Sequence, residues 1–234
     1  MSPPPETGAA GAQLPARVAA ALAAAEIPPS KLGPARHRGQ SGSERELYFW
    51  ILRRLASHGR PSRPELDAAA ARLGTDPNSA LRTLAREDLV HVDERDVSVA
   101  YPFSGRPTAH RVRFPSGHEA YAMCAIDALG IAPMFSTPIE ITSRDLHSDE
   151  PFRAQLAPDG AGSWQPETAT VVAGALDRHA DSCCGCCPVL NFFVTRTNAE
   201  RWLAEHPHVR GHAISIEDAI AAGRAVFEDV LVGR

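Results

Sequence analysis

The chain has 234 residues, a net charge of −4 at neutral pH and 44% hydrophobic residues, enough for one substantial domain plus a small one around an ordinary core. That charge excludes a general attraction to nucleic acid or to an anionic membrane surface. No apolar run approaches the ~20 residues that cross a bilayer, and Met1-Ser2-Pro3-Pro4-Pro5 lacks the basic start and apolar centre of a secretory signal, so a cytoplasmic location without a membrane partner is expected.

Residues 1–43 are rich in Pro, Gly, Ala and Ser; one alanine-rich helix is predicted over 16–26, ending before Pro28, with the remainder mobile. From Glu44 the texture changes. Leu47, Trp50, Ile51 and Leu55 recur at helical spacing up to Gly59, and Ser62 with Glu65 forms a capping box for a second helix that stops at Gly74. Asp76 and Pro77 open a third helix carrying Leu81 and Leu84. Val90-His91-Val92, a polar tip and Val97-Ser98-Val99 then read as a hairpin. Three helices and a hairpin outline a winged-helix-like domain over 44–103. The exposed Arg82 and Arg86 of the third helix face a wing crowded by Asp93, Glu94 and Asp96, so nucleic acid is not the expected partner.

Residues 104–234 read as an α+β domain. Strands are predicted over 110–114, 139–141, 152–156 and 168–172, and a helix over 119–129 closed by Gly130. The apolar run 189–194, broken only by Asn191, fits a central strand. Thr197 and Glu200 are expected to cap a helix containing Trp202, and Ser215 and Asp218 to open the last one. Trp164, in a polar loop, is a candidate cover for a pocket. The histidines show no metal-ligand spacing and read as surface or loop residues.

Cysteine placement carries the chemistry. Of five cysteines, Cys183, Cys184, Cys186 and Cys187 fall in one pentapeptide, which is poor spacing for a disulfide framework and suited to thiol or metal chemistry. Thiolates select soft metals. No second pair completes a closed zinc site, so a catalytic or transfer site is better supported. The fifth cysteine, Cys124, lies three residues before Asp127, close enough on a helix for thiol and carboxylate to meet.

Tyr121-Ala122-Met123-Cys124-Ala125-Ile126-Asp127-Ala128-Leu129 resembles the segment of the alkylmercury lyases that carries their first catalytic cysteine and their aspartate. Cys186-Cys187-Pro188-Val189-Leu190-Asn191-Phe192-Phe193 is similar to the segment carrying the second catalytic cysteine. Counting back from Phe192-Phe193 assigns that position to Cys187; counting from the first cysteine of the pair assigns it to Cys186. Cys187 is chosen. The resemblance implies a winged-helix-like domain before a catalytic domain with a mixed sheet, and cleavage of a carbon–mercury bond to a hydrocarbon and Hg(II) held by Cys124, Cys187 and Asp127. It implies an organomercurial substrate, no cofactor, external low-molecular-weight thiols for turnover, and a mercuric reductase to take the ion. Cys183, Cys184 and Cys186 become candidate relay thiols. Where the family has a further cysteine, this chain has the stretch from Ser143 to Asp145. Three other readings keep the thiols: a non-catalytic heavy-metal binder, a metal-sensing winged-helix regulator and a thiol oxidoreductase.

Overall fold

The structure, a computed structural model, describes residues 14–94, 96–176 and 185–231. Helix α1 (Ala16–Ala24) buries Val18, Ala21 and Leu22. Two short 3-10 helices, Pro29–Lys31 and Gly33–His37, follow α1 and bury Arg36 and His37. Pro and Gly disfavour long helices, and prolines with fixed φ suit tight turns laid over an existing core.

Helix α2 (Gly42–His58) begins at a capping box in which Ser41 and Glu44 satisfy each other's backbone N–H. The expected Ser62/Glu65 box opens α3 (Arg63–Arg72), and the Asp76 carboxylate caps α4 (Pro77–Arg86). The predicted hairpin forms as β1 (Val90–Asp93) and β2 (Asp96–Ala100).

The hairpin is the edge of a larger sheet. Strands β3 (Phe103–Ser104), β4 (His110–Arg113), β5 (Glu119–Ala122), β6 (Ile139–Arg144), β7 (Pro151–Leu156) and β8 (Gly162–Gln165) complete eight strands in the order β1-β2-β3-β5-β4-β6-β7-β8. Every pairing is antiparallel, which corrects the expectation of a mixed sheet. The reason lies in one crossover. Helix α5 (Ala125–Phe135) connects β5 to β6, and β4 sits between those two strands, pairing antiparallel with each.

A second sheet has the order β10-β9-β11, with β9 (Thr170–Leu176) between β10 (Phe192–Phe193) and β11 (Val209–Ser215). Strand β9 is buried on both faces: Val171, Ala173 and Ala175 join the main core, while Val172 packs with Val189, Phe193 and Trp202. The strand expected over 189–194 reduces to an edge pair, because 186–189 turn and Leu190 N–H donates back to the Cys186 carbonyl. The helix α6 (Arg196–Glu205) is capped by Thr195 onto Asn198, not by Thr197 and Glu200. Ser215 caps α7 (Ile216–Phe227) onto Asp218, as expected. Trp164 lies on edge strand β8 opposite Ala154 and does not line the cavity that Cys124 borders. Among the described residues, no helix is long and apolar enough to cross a membrane.

Helix α5 is the centre of the molecule, with every residue from Ala125 to Met134 buried. It crosses α7 at two glycines. A Cβ on Gly130 would lie 2.3 Å from Phe227 Cδ2 and 2.9 Å from the Gly223 carbonyl oxygen, and a Cβ on Gly223 would meet the Gly130 nitrogen at 2.9 Å. Gly130, expected to end a helix, instead permits this close crossing. Gly130→Ala should therefore lower stability by about 2 to 3 kcal/mol through overpacking, measured as a lower midpoint in urea denaturation with an unchanged slope.

Candidate functional site

The stretch 119–129 is not one helix. Glu119–Ala122 is strand β5, and the chain turns at Cys124, whose backbone is extended (φ −153°, ψ −179°) and forms the N-cap of α5. Two backbone bonds fix the turn: Met123 N–H donates to the Pro102 carbonyl at 3.0 Å and Ala125 N–H to the Leu190 carbonyl at 2.8 Å. The three-residue spacing to Asp127 thus works as a capping arrangement. Cys124 Sγ accepts from Asp127 N–H at 3.4 Å, and its thiol donates to Asp127 Oδ2 at 2.9 Å. It parallels the capping box, with a thiol in place of the hydroxyl.

Cys187 comes to the same carboxylate from a turn 60 residues further along the chain, its thiol donating to Asp127 Oδ2 at 3.7 Å. Ligand atoms of Cys124, Asp127 and Cys187 all lie within 4.8 Å of one another. All three residues are at most 5% exposed. They border a cavity of about 40 Å³, which Cys186 and Tyr101 also line. Cys186 is buried beside Cys187; Cys183 and Cys184 lie outside the described residues.

Burial sets the protonation states. It pushes the Asp127 carboxyl up to about 7, against the hydrogen bonds from the two thiols and the positive charge of Arg36, which lower it. It pushes the Cys124 thiol up to about 12. Cys187 is also raised, first by its hydrogen bonds to Cys124 and Cys186 and then by burial. Both cysteines therefore rest as neutral thiols, and the carboxyl is poised to hold or release a proton near neutrality.

A buried polar chain supports the turn that carries Cys187. Asn191 Nδ2 donates to the Pro188 carbonyl at 2.8 Å, His110 Nε2 contacts Asn191 Oδ1 at 3.1 Å, and Ser143 Oγ contacts His110 Nδ1 at 2.9 Å. With the Asn191 oxygen as acceptor, His110 is the neutral Nε2–H tautomer and Ser143 donates to Nδ1. Burial lowers the His110 pKa to about 4, consistent with that state. His110 is thus a buried core residue, not the surface or loop residue expected. Its alternation with exposed Arg111 and Arg113 on β4 was the available clue, and Asn191 interrupting an apolar run was the other. Ser143 occupies the strand after α5 and bonds to His110, away from the thiols. Arg36 also borders the cavity, from a segment whose composition carried no such signal.

The chain is also similar to known proteins. The alkylmercury lyase family model matches residues 103–228, more than half of the chain. An alkylmercury lyase from Streptomyces lividans is 28% identical over 87% of this chain and 93% of its own length. One from Bacillus cereus is 27% identical over 83% and 87%. A solved structure described as the mercury-bound form of MerB2 shares the fold with a TM-score of 0.67 at 17% identity, over 83% of this chain and 95% of that one. With two thiols and a carboxylate converging at the junction of β5 and α5, within the matched residues, this chain belongs to the alkylmercury lyase family.

Proposed function

We propose that the protein cleaves the carbon–mercury bond of organomercurials with Cys124 and Cys187 as mercury ligands and Asp127 as the proton carrier. The observation that carries this reading is the convergence of the three ligand groups within 4.8 Å in a buried cavity. An organomercurial arrives as R–Hg–X. The first thiol displaces X, whose departure as HX removes one proton. The second thiol then binds mercury, and metal binding acidifies it enough to pass its proton to Asp127. A second soft ligand raises electron density on the carbon. Asp127 delivers the proton to that carbon, R–H departs, and Hg(II) remains on the two sulfurs. The hydrogen bond of Cys187 to Asp127 and its place in the three-ligand cluster support it over Cys186 as the second ligand. Cys186, at the cavity wall, and Cys183 and Cys184 are candidates to pass the ion outward to low-molecular-weight thiols or to a mercuric reductase in the cytoplasm.

The same reading divides the chain into a leading segment (1–43), a winged-helix-like unit (44–103) and a catalytic unit (104–234). Helices α2–α4 followed by the β1–β2 hairpin support the middle unit. Its role here is structural: Asp88 and Tyr101, at either end of the hairpin, border the cavity.

Three outcomes are expected. Cys124→Ser and Cys187→Ser each abolish methane release from methylmercury, followed by gas chromatography with excess thiol, while Cys186→Ser retains a single turnover. Loss with Cys186→Ser and retention with Cys187→Ser would reverse the assignment.

The ionised carboxylate must receive the thiol proton, so cleavage should fall as pH drops below about 7, the value set by burial of Asp127. Asp127→Asn should slow cleavage by about 10²- to 10⁴-fold and leave Hg(II) binding in place, tested by titrating the variant with HgCl₂.

The carboxyl pKa is raised on folding from 3.8 to about 7. Between those values the folded state binds the extra proton, so stability is greatest below pH 3.8 as far as this group is concerned. It declines as pH climbs to about 7. Asp127→Asn should remove a penalty of a few kcal/mol, at about 1.36 kcal/mol per pKa unit. It should therefore melt higher than wild type at pH 8, read by calorimetry.

A further inference from the structure

Arg36 stands apart from every other cation near the site. Its side chain is buried, with the residue 7% exposed, and its Nε and Nη1 have no hydrogen-bond partner among the described residues. The guanidinium carbon lies 4.8 Å from the centre of the Phe227 ring, so one face is held against an aromatic surface. Arg36 lines the same cavity as Cys124, Asp127 and Cys187. Carboxylates already present there have other partners: Asp127 accepts from both thiols, and Asp88 pairs with Lys31 and His91. A buried guanidinium with unmatched donors is unfavourable unless a negative group completes it.

We propose that Arg36 is the anion-recognition residue of the pocket and binds a carboxylate carried in by the mercury compound. This rests on the lyase site described above. A carboxylate suits a planar guanidinium and forms short charge-assisted hydrogen bonds to it. The cavity wall beside Arg36 includes Ile126, Leu190, Val226 and Phe227, which suit an organic group carrying the carboxylate. The carboxylate has two chemical sources: the organic group on mercury, or the thiol that delivers the metal as a thiolate complex. In either case Arg36 selects among mercury compounds by their second functional group, which the sulfur ligands cannot read.

The test is a pair of selectivity ratios in kcat/KM, measured on the full chain. One ratio compares 4-carboxyphenylmercury with phenylmercury, both supplied with 2-mercaptoethanol. The other compares methylmercury supplied with mercaptoacetate and with 2-mercaptoethanol. Wild type should favour the carboxylate member of at least one pair by about tenfold or more, as a charge-assisted hydrogen bond implies. Arg36→Met should bring that ratio close to one, and Arg36→Lys should preserve part of it. The pair that responds identifies the source. A general loss of activity in Arg36→Met cancels in the ratios, and Arg36→Lys serves if Arg36→Met fails to fold. Equal ratios in wild type and variants, or no carboxylate preference in wild type, overturn the proposal. Absence of hydrocarbon from phenylmercury in wild type would instead sink the lyase site itself.

Discussion

The structure turns on one unfavourable act, the removal of a carboxyl group and two thiols from water at the first turn of a buried helix. Asp127 is tolerated there because both sulfurs point their protons at it and because its own N–H is capped by Cys124. The free N–H groups and positive end of α5 favour negative charge at this place, and the hydrophobic surround opposes it. Opposition wins in the resting protein, which keeps the thiols neutral and raises the carboxyl toward neutrality. In the proposed reaction a soft metal changes that balance, since sulfur bound to mercury no longer needs its proton.

Contacts on several sides fix the position of the helix N-terminus. The eight-stranded sheet delivers the chain to Cys124 through β5, and the Pro102 and Leu190 carbonyls hold the two residues flanking the cysteine. On the other side, Gly130 and Gly223 let α5 and α7 approach at backbone distance, which brings Phe227 against both α5 and the Arg36 guanidinium. Cys187 has no regular element of its own. Its turn is fastened by Asn191 to the Pro188 carbonyl, and Asn191 is in turn fixed by His110 and Ser143. That buried chain is fully satisfied, so it specifies one arrangement where an apolar contact would leave several.

A single carboxyl group between two thiols suits the proposed protonolysis because the reaction needs no net supply of protons from solvent. One proton leaves with the displaced ligand and one travels from thiol to carbon by way of Asp127. The small cavity, walled by Ile126, Leu190, Val226 and Phe227, lowers the screening of these charges. It also means that a substrate is recognised by few groups, so a cation such as Arg36 on the wall has a large effect on which compounds fit.

Much of the local structure was legible in the sequence because it depends on neighbours along the chain. The capping boxes at Ser62 and the caps at Asp76 and Ser215 are short-range hydrogen-bond patterns, and α3, α4 and α7 start where those residues stand. The hairpin of β1 and β2 was equally plain from alternation and a polar tip. The pairing of Cys124 with Asp127 was visible as a three-residue spacing, although the reason was a helix cap and not a shared helix face. What the sequence alone left open was set by contacts between distant segments. Whether 189–194 forms a central strand depended on β9 taking the centre of its sheet, and whether Gly130 ends a helix depended on α7 crossing it. The choice between Cys186 and Cys187 turns on which sulfur the Asn191-fastened turn directs at Asp127. The burial of Arg36 depended on Phe227, nearly two hundred residues away. Periodicity and capping record interactions within a few residues, whereas burial, pKa and the meeting of two thiols at one carboxylate exist only once the whole core has closed around them.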